Sequence, residues 1–275
     1  MSACIGHVCL HNRIILNYSI GDIVEKKGIN AHPLQVVYKT QVTPNMLRIT
    51  LKGNAVRDYP ENHASGYIKL VFPQAEGRPL VRTYTIRAHQ EDQIDVDFAI
   101  HGDHGDSGPA CHWAQTCEIG DEILVGGPGP KKLAADAEHY LFIGDMTSLP
   151  AISVNLSQLP ANAKGYAIVE ITSESDKQSL PKPQGIEMIW VVNPHPGEES
   201  VLANKVRELD QDWSQTSIWA ACEFSSMRSL RQYFFKELSL AKDKVYVSSY
   251  WKFGLSEDNH KVVKQQDALQ AELEQ

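Results

Sequence analysis

Near the middle of the chain the sequence reads Gly126-Gly127-Pro128-Gly129-Pro130, and its rhythm differs on the two sides of that break. Glycine and proline punctuate a chain, because one frees φ and the other fixes it. Upstream, Leu34 to Lys39 and Met46 to Leu51 flank a turn at Pro44-Asn45. Tyr67 to Phe72 and Arg82 to Arg87 are rich in β-formers. Ile94, Val96, Phe98 and Ile100 alternate with Asp95, Asp97, Ala99 and His101, the period of a half-buried strand. Glu122 to Val125 completes six short strands with few helices between them, which predicts a small antiparallel barrel. Downstream, apolar strands at Tyr140–Ile143, Tyr166–Ile171, Met188–Val192, Ile218–Cys222 and Val245–Tyr250 alternate with helices at Ser148–Leu159, Val201–Leu209 and Met227–Leu238. Strands that alternate with helices predict a parallel sheet. A helix is expected over Asp267–Glu274.

The expected architecture is thus an α+β, α/β two-domain chain, an antiparallel barrel followed by a parallel-sheet domain. The boundaries follow as an arm over 1–32, a barrel over 33–134, an α/β domain over 135–255 and a tail over 256–275. A length of 275 residues suits two domains. A net charge of −8 argues against nucleic acid as a partner, though a local basic pocket stays open. No apolar run reaches the roughly 18 residues a membrane span needs, and the N-terminus lacks a secretion signal. Five scattered cysteines without a C-x-x-C pair suit a reducing compartment and no zinc ribbon. The expected location is cytoplasmic.

Two segments carry chemistry. In Arg82-Thr83-Tyr84-Thr85-Ile86-Arg87, alternation puts Arg82 and Tyr84 on one strand face. Together they can hold an anion and a planar ring, since arginine forks onto phosphate and tyrosine stacks. The plainer reading is an exposed strand of ordinary β-formers. The second segment runs from His101-Gly102 through Gly105 and Gly108 to Pro109-Ala110, a glycine-rich turn ahead of a helix start that can take a pyrophosphate. A structural turn is the alternative. A metal cluster of His101, Asp103, His104, Asp106 and His112 is disfavoured because its spacing matches no helix-face motif, so no metal is expected. In the second half, Gly144-Asp145-Met146-Thr147-Ser148 joins strand to helix, where open α/β sheets bind nucleotides, or is an ordinary turn capped by Ser148. It is not G-x-G-x-x-G. Arg228 and Arg231, one helical turn apart, can bind a 2′-phosphate or form a solvated face.

Taken in order, Arg-x-Tyr-Thr-Ile-Arg, Asp-x-Asp-Phe-Ala-Ile-His-Gly and Gly-Pro-Ala-x-x-Trp-Ala resemble the siderophore-interacting protein family. These are FAD-dependent ferric-siderophore reductases related to ferredoxin–NADP reductases. Gly120 to Gly129, Gly144 to Ile152, Ala221-Cys222-Glu223 and Tyr250-Trp251-Lys252-Phe253-Gly254 extend the resemblance over about residues 33–255, with Cys222 where the family has glycine.

The resemblance implies FAD held by Arg82 at its phosphates, Thr83, Tyr84 and Thr85 along the ring, and His101 and Gly102 at the ring's other edge. Gly108, Pro109 and Ala110 would cradle the pyrophosphate with Trp113 behind them, and Trp251 would cover the adenine or the ring. Trp113 and Trp251 are otherwise core aromatics. Gly144, Asp145, Thr147, Ser148, Glu223, Arg228 and Arg231 are the matching positions for NAD(P)H, with reduced ferredoxin as another donor in the family. Lys52, Lys131, Lys132 and Lys252 would gather the ferric siderophore, each alone being an ordinary solvated lysine. The flavin performs the electron transfer, so no side chain is expected to act as a catalytic acid or base. The function implied is FAD-dependent reduction of a ferric siderophore. Rival readings are another flavin or ferredoxin reductase of the same superfamily, and a siderophore-binding protein without turnover.

Overall fold

The computed structural model describes residues 31–74, 77–100, 108–198, 200–209 and 211–273. The glycine-rich turn with His101 and Gly102, and nearly all of the N-terminal arm, lie outside them.

Upstream of the break, seven strands rather than six form one antiparallel sheet. They are β1 (His32–Thr43), β2 (Met46–Lys52), β3 (Tyr67–Phe72), β4 (Leu80–Thr85), β5 (Ala88–Gln90), β6 (Gln93–Ala99) and β7 (Glu122–Gly129), in the order β4-β3-β7-β1-β2-β6-β5. The extra strand is the three-residue β5, which pairs with β6 after Ile86-Arg87 has interrupted the run from Arg82. Among the described residues no ladder joins the two edges, yet the sheet curls. Tyr84 of β4 meets Phe98 of β6 ring to ring at 4.5 Å. Alternation drives the curl: Val36, Ile49, Ile68, Leu70, Val96 and Phe98 point inward and are fully buried. On the other side of β6, Asp95 accepts from Thr50 and Asp97 accepts from Arg48 Nε and Nη2 at 2.6 and 2.8 Å. Helix α1 (Pro109–Thr116) covers one end of this core with Ala110 and Ala114, and Trp113 packs on Phe98 and Phe72.

Downstream, β8 (His139–Gly144), β9 (Lys164–Ile171), β10 (Gly185–Val192), β11 (Thr216–Glu223) and β12 (Val245–Trp251) are all parallel, in the order β10-β9-β8-β11-β12. The order reverses between β8 and β11. Helices α2 (Leu149–Gln158), α3 (Val201–Arg207) and α4 (Phe224–Gln232) cover the two faces. Alternate residues of β8 serve opposite cores: Tyr140 and Phe142 face α2, while Leu141 and Ile143 face α3 and α4. Helix α4 starts at Phe224, before the expected Met227, because the Glu223 carboxylate accepts from the backbone N–H of Ser225 and Ser226.

The halves are fastened together. Met46 of β2 belongs to the α2-side core, with Val42 and Ala99 packed against it. Buried Asp176, beyond β9, accepts from Thr43 Oγ1, Asn45 N and Asn45 Nδ2 at 2.8–2.9 Å. After the left-handed Gly254 (φ 73°) the chain enters α5 (Glu257–Leu273). This helix begins well before the expected Asp267. Ser256 opens it by accepting from Asn259 N, and His260 and Lys264 tie it to β12. Among the described residues no helix is long and apolar enough to cross a membrane.

Candidate functional site

A cavity of about 560 Å³ lies between the two halves. Its barrel wall is β4 and the start of α1, its opposite wall is the carboxyl ends of β8, β9 and β12, and α5 forms a third side. Parallel α/β sheets bind ligands at this end, at the point where the strand order reverses.

On the barrel wall the residues expected to hold FAD come together: Arg82, Thr83, Tyr84, Thr85, Gly108, Pro109 and Ala110 all line the cavity. Gly108 precedes α1 in extended conformation, with no side-chain cap, and Pro109 occupies the first turn. Helix geometry leaves the first N–H groups without partners in the helix. His112 N reaches Gly108 O, so the N–H groups of Ala110 and Cys111 head the helix. A Cβ added at Gly108 would meet no atom of the described residues within 4 Å, so among them nothing packs on this glycine ahead of the helix. Burial drives the Tyr84 phenol far above its usual range, so it stays neutral. These residues fit FAD: an arginine, a helix start for phosphate and an aromatic ring beside apolar space. One feature competes. Glu257 of α5 accepts from Thr83 N and Oγ1 at 3.2 and 3.0 Å, and Asp258 lies 3.4 Å from Arg82 NH1.

The α/β wall differs. Asp145 and Thr147 line the cavity, but the Asp145 carboxylate is engaged four times. Its Oδ1 accepts from Thr147 N and Oγ1, and its Oδ2 accepts from Glu223 N and Trp251 Nε1 at 2.9 and 2.8 Å. It thereby ties together the ends of β8, β11 and β12. Burial raises its pKa against the pull of these donors. Trp251 does line the cavity, with its indole N–H given to Asp145.

Gly144 is a packing residue: a Cβ there would stand 2.0 Å from Ser148 Oγ and 2.9 Å from Ala221 O. Ser148 is fully buried and bonds back to Asp145. Glu223 caps α4 and accepts from Phe253 N at 3.2 Å. Arg228 and Arg231 both hold Asp267 of α5. None of Gly144, Ser148, Glu223, Arg228 and Arg231 is on the cavity wall. Cys222, standing for the family's glycine, points into the α3–α4 core and away from the cavity.

The expected lysine patch is half assembled. Lys132 and Lys252 line the cavity, the latter with Nζ 4.4 Å from the Phe224 ring centroid. Lys52 lies elsewhere, 3.5 Å from Asp92 at the end of β2, and Lys131 reaches Asn62 O. Neither lines the cavity, each being held by its own partner on the barrel.

Sequence reasoning missed other cavity residues. Lys261 and Lys264 add cations from α5, with His260 beside them on the helix. Burial lowers the pKa of His260 and of Lys264, the latter donating to Ser248 Oγ and Ser249 O. Glu170, at the end of β9, is 4% exposed, and its Oε1 accepts from Asn193 Nδ2 at 2.9 Å. Burial, and then the Asp145 charge, push its pKa up to about 7. A single acid closing an otherwise apolar strand was the available signal.

This arrangement, a cavity between an antiparallel sheet and the carboxyl end of a parallel sheet, is that of a two-domain flavin oxidoreductase. The chain belongs to the siderophore-interacting protein family: its model matches residues 137–254, and that of the siderophore-interacting FAD-binding domain matches 35–79 and 73–132. It is 32% identical over 248 residues to ferric vibriobactin reductase ViuB of Vibrio cholerae, covering 82% of this chain and 90% of that protein. It is 27% identical over 218 residues to the ferric acinetobactin reductase of Acinetobacter baumannii, covering 78% and 75%. The siderophore-interacting protein SipS from Aeromonas hydrophila superposes with a TM-score of 0.78 at 30% identity, covering 87% of this chain and 98% of that one.

Proposed function

We propose that the chain is an FAD-dependent ferric-siderophore reductase that takes electrons from NAD(P)H. The observation that carries this reading is the shared cavity, walled by the residues of β4 and α1 whose chemistry suits FAD and by the switch-point end of the parallel sheet. When bound, FAD accepts a hydride and passes single electrons onward, chemistry that side chains do not supply.

The chain's residues bind, orient and shield. Arg82 and the N–H groups at the start of α1 take the cofactor's phosphates, by fork and by helix terminus. A phosphate at Arg82 displaces Asp258, a long-range and half-exposed partner. Tyr84 and Thr85 line the ring, and Trp113 supports the α1 wall from behind. Lys132, Lys252, Lys261 and Lys264 bring cations to a cavity that Asp97, Asp145, Glu170 and Glu257 also line, and in a chain of net charge −8 they are the groups an anionic ferric chelate can meet there. Reduction of Fe(III) to Fe(II) then loosens its hold on hard oxygen ligands. Nicotinamide as donor agrees with a cytoplasmic location.

The test is purification followed by flavin analysis. A yellow protein that releases FAD on denaturation, and that is bleached anaerobically by NADH or NADPH, supports the reading. A protein that stays colourless after incubation with FAD overturns it. Reduced ferredoxin serves as the comparison donor, and free FMN as the comparison acceptor.

A further inference from the structure

A second cavity, of about 310 Å³, lies at the seam between the two halves and shares no lining residue with the first. Arg48 of β2 and Arg87, just after β4, enter it from the antiparallel sheet. Lys177, Gln178 and Ser179, beyond β9, line it from the α/β half. Three of these side chains are cationic, and among the described residues no acid lines the cavity.

The donors here outnumber their acceptors. Arg48 gives Nε and Nη2 to the two oxygens of Asp97, which leaves Nη1. Arg87 is only 21% exposed, yet its one ion pair among the described residues is 3.9 Å long, from Nε to the Asp97 oxygen that Arg48 Nη2 already holds. That distance is beyond hydrogen-bond reach. Burial, and then the Arg48 charge, lower the Arg87 pKa, as befits a cation short of counter-charge. Asp95 also acts on both arginines, but its carboxylate accepts from Thr50 Oγ1 at 2.7 Å. The more exposed Lys177 pairs with Glu174. The amide nitrogen of Gln178, Nε2, is buried and has no hydrogen-bond partner among the described residues. Buried polar groups in folded proteins are nearly always satisfied, so a guanidinium and an amide open on one cavity call for an acceptor.

The chemistry of that acceptor follows from the donors. Arg48, Arg87 and Gln178 reach the cavity from three separate segments. A tetrahedral phosphate group has oxygens for all three, and guanidinium groups bind it by fork and by charge. A planar carboxylate satisfies one fork and leaves the other donors open. Val42 and Leu180 add an apolar side that suits the carbon part of a phosphate ester.

We propose that Arg48, Arg87 and Gln178 form a binding site for a phosphate group, as the free ion or a small monoester, bridging the two halves and separate from the flavin cavity. The site stands apart from the reductase reading, since none of its residues serves that reading.

Thermal unfolding tests it, with FAD in excess so that the cofactor's own phosphate-binding groups are taken. Inorganic phosphate and glycerol 3-phosphate are titrated against sodium chloride of matched ionic strength, with malonate as the carboxylate comparison. A ligand that binds only the folded state raises the midpoint as its concentration rises. The wild type should show that rise with phosphate and not with chloride or malonate, and the stronger of the two phosphate ligands tells ester from free ion. Arg87→Met should weaken the apparent affinity about tenfold or more, and Gln178→Leu about threefold, the scales of a charged and a neutral hydrogen bond. FAD content should be unchanged in both. In chloride alone Arg87→Met should unfold no earlier than the wild type, because the lost guanidinium holds nothing there. Equal midpoints in phosphate and chloride, a phosphate response that both variants keep, or a malonate response as large as that to phosphate overturn the site. So does an Arg87→Met protein that melts earlier in chloride, since Arg87 then serves Asp97 and the fold.

Discussion

The two walls of the cavity use their polar residues in opposite ways. On the barrel wall, Gly108 and Pro109 give an uncapped helix start, and Gly108 itself packs against no described residue, while Ala110 behind them joins the barrel core. On the α/β wall, Asp145, Ser148 and Glu223 are consumed in fastening strand ends to one another and to α4. Residues of similar chemistry therefore answer to different tests. Change on the barrel wall should cost cofactor and spare stability. Change on the α/β wall should cost stability first.

The largest effect is expected from Asp145→Ala. It strands the buried donor Glu223 N, at about 1–3 kcal/mol for an unsatisfied group, and frees the part-buried Trp251 Nε1 as well. Thermal unfolding of the flavin-free protein should show a loss of several degrees. An unchanged midpoint would mean the carboxylate is not the tie between β8, β11 and β12.

Glu170→Gln should act with the opposite sign, and only at high pH. The folded protein holds the Glu170 proton up to about pH 7, above the ordinary carboxylate range. That hold contributes stability at acid pH which is lost as the pH rises through 7. Removing the charge should therefore stabilise the protein at pH 8, by at most about 3 kcal/mol, and leave it unchanged near pH 4. Equal shifts in the midpoint at both pH values would contradict a buried, proton-holding acid.

Asp267→Ala should cost about 1 kcal/mol, the scale of a partly exposed ion pair. Its clearer sign is local. Freed of Arg228 and Arg231, α5 should exchange its amide hydrogens faster while the strands do not. The smallest effect on stability is expected at Gly108→Val, within about 0.5 kcal/mol, because no atom of the described residues lies within 4 Å of a Cβ there. The same variant should lose most of its FAD, read from the protein-bound flavin spectrum. A destabilised Gly108→Val with normal FAD would reverse the contrast between the walls.

The legible parts of this molecule were its local patterns. The alternation Ile94-Val96-Phe98 gave β6, and five apolar runs gave the parallel strands, because burial writes itself into neighbouring residues. Strand β5 was missed because three residues carry too little pattern, and the early start of α5 because its polar first turns bury only His260 deeply. Motif matching brought Arg82, Tyr84, Gly108 and Lys252 to the cavity, since these lie on elements that the local pattern already placed. It misjudged Lys52, Arg228 and Arg231, whose partners Asp92 and Asp267 lie far along the chain. The hold of Asp176 on Asn45 is likewise a contact between distant segments that no local spacing announces.

The central claim is that the two walls serve one electron path. It is tested most directly in an anaerobic cuvette holding the FAD-loaded protein and a ferrous-iron chelator, to which NADH and then a ferric tris-catecholate are added. The account predicts that the flavin band bleaches with NADH and returns with the ferric complex, as Fe(II) appears in step. A flavin that NADH leaves oxidised, or a reduced flavin that the ferric complex leaves bleached, would contradict it.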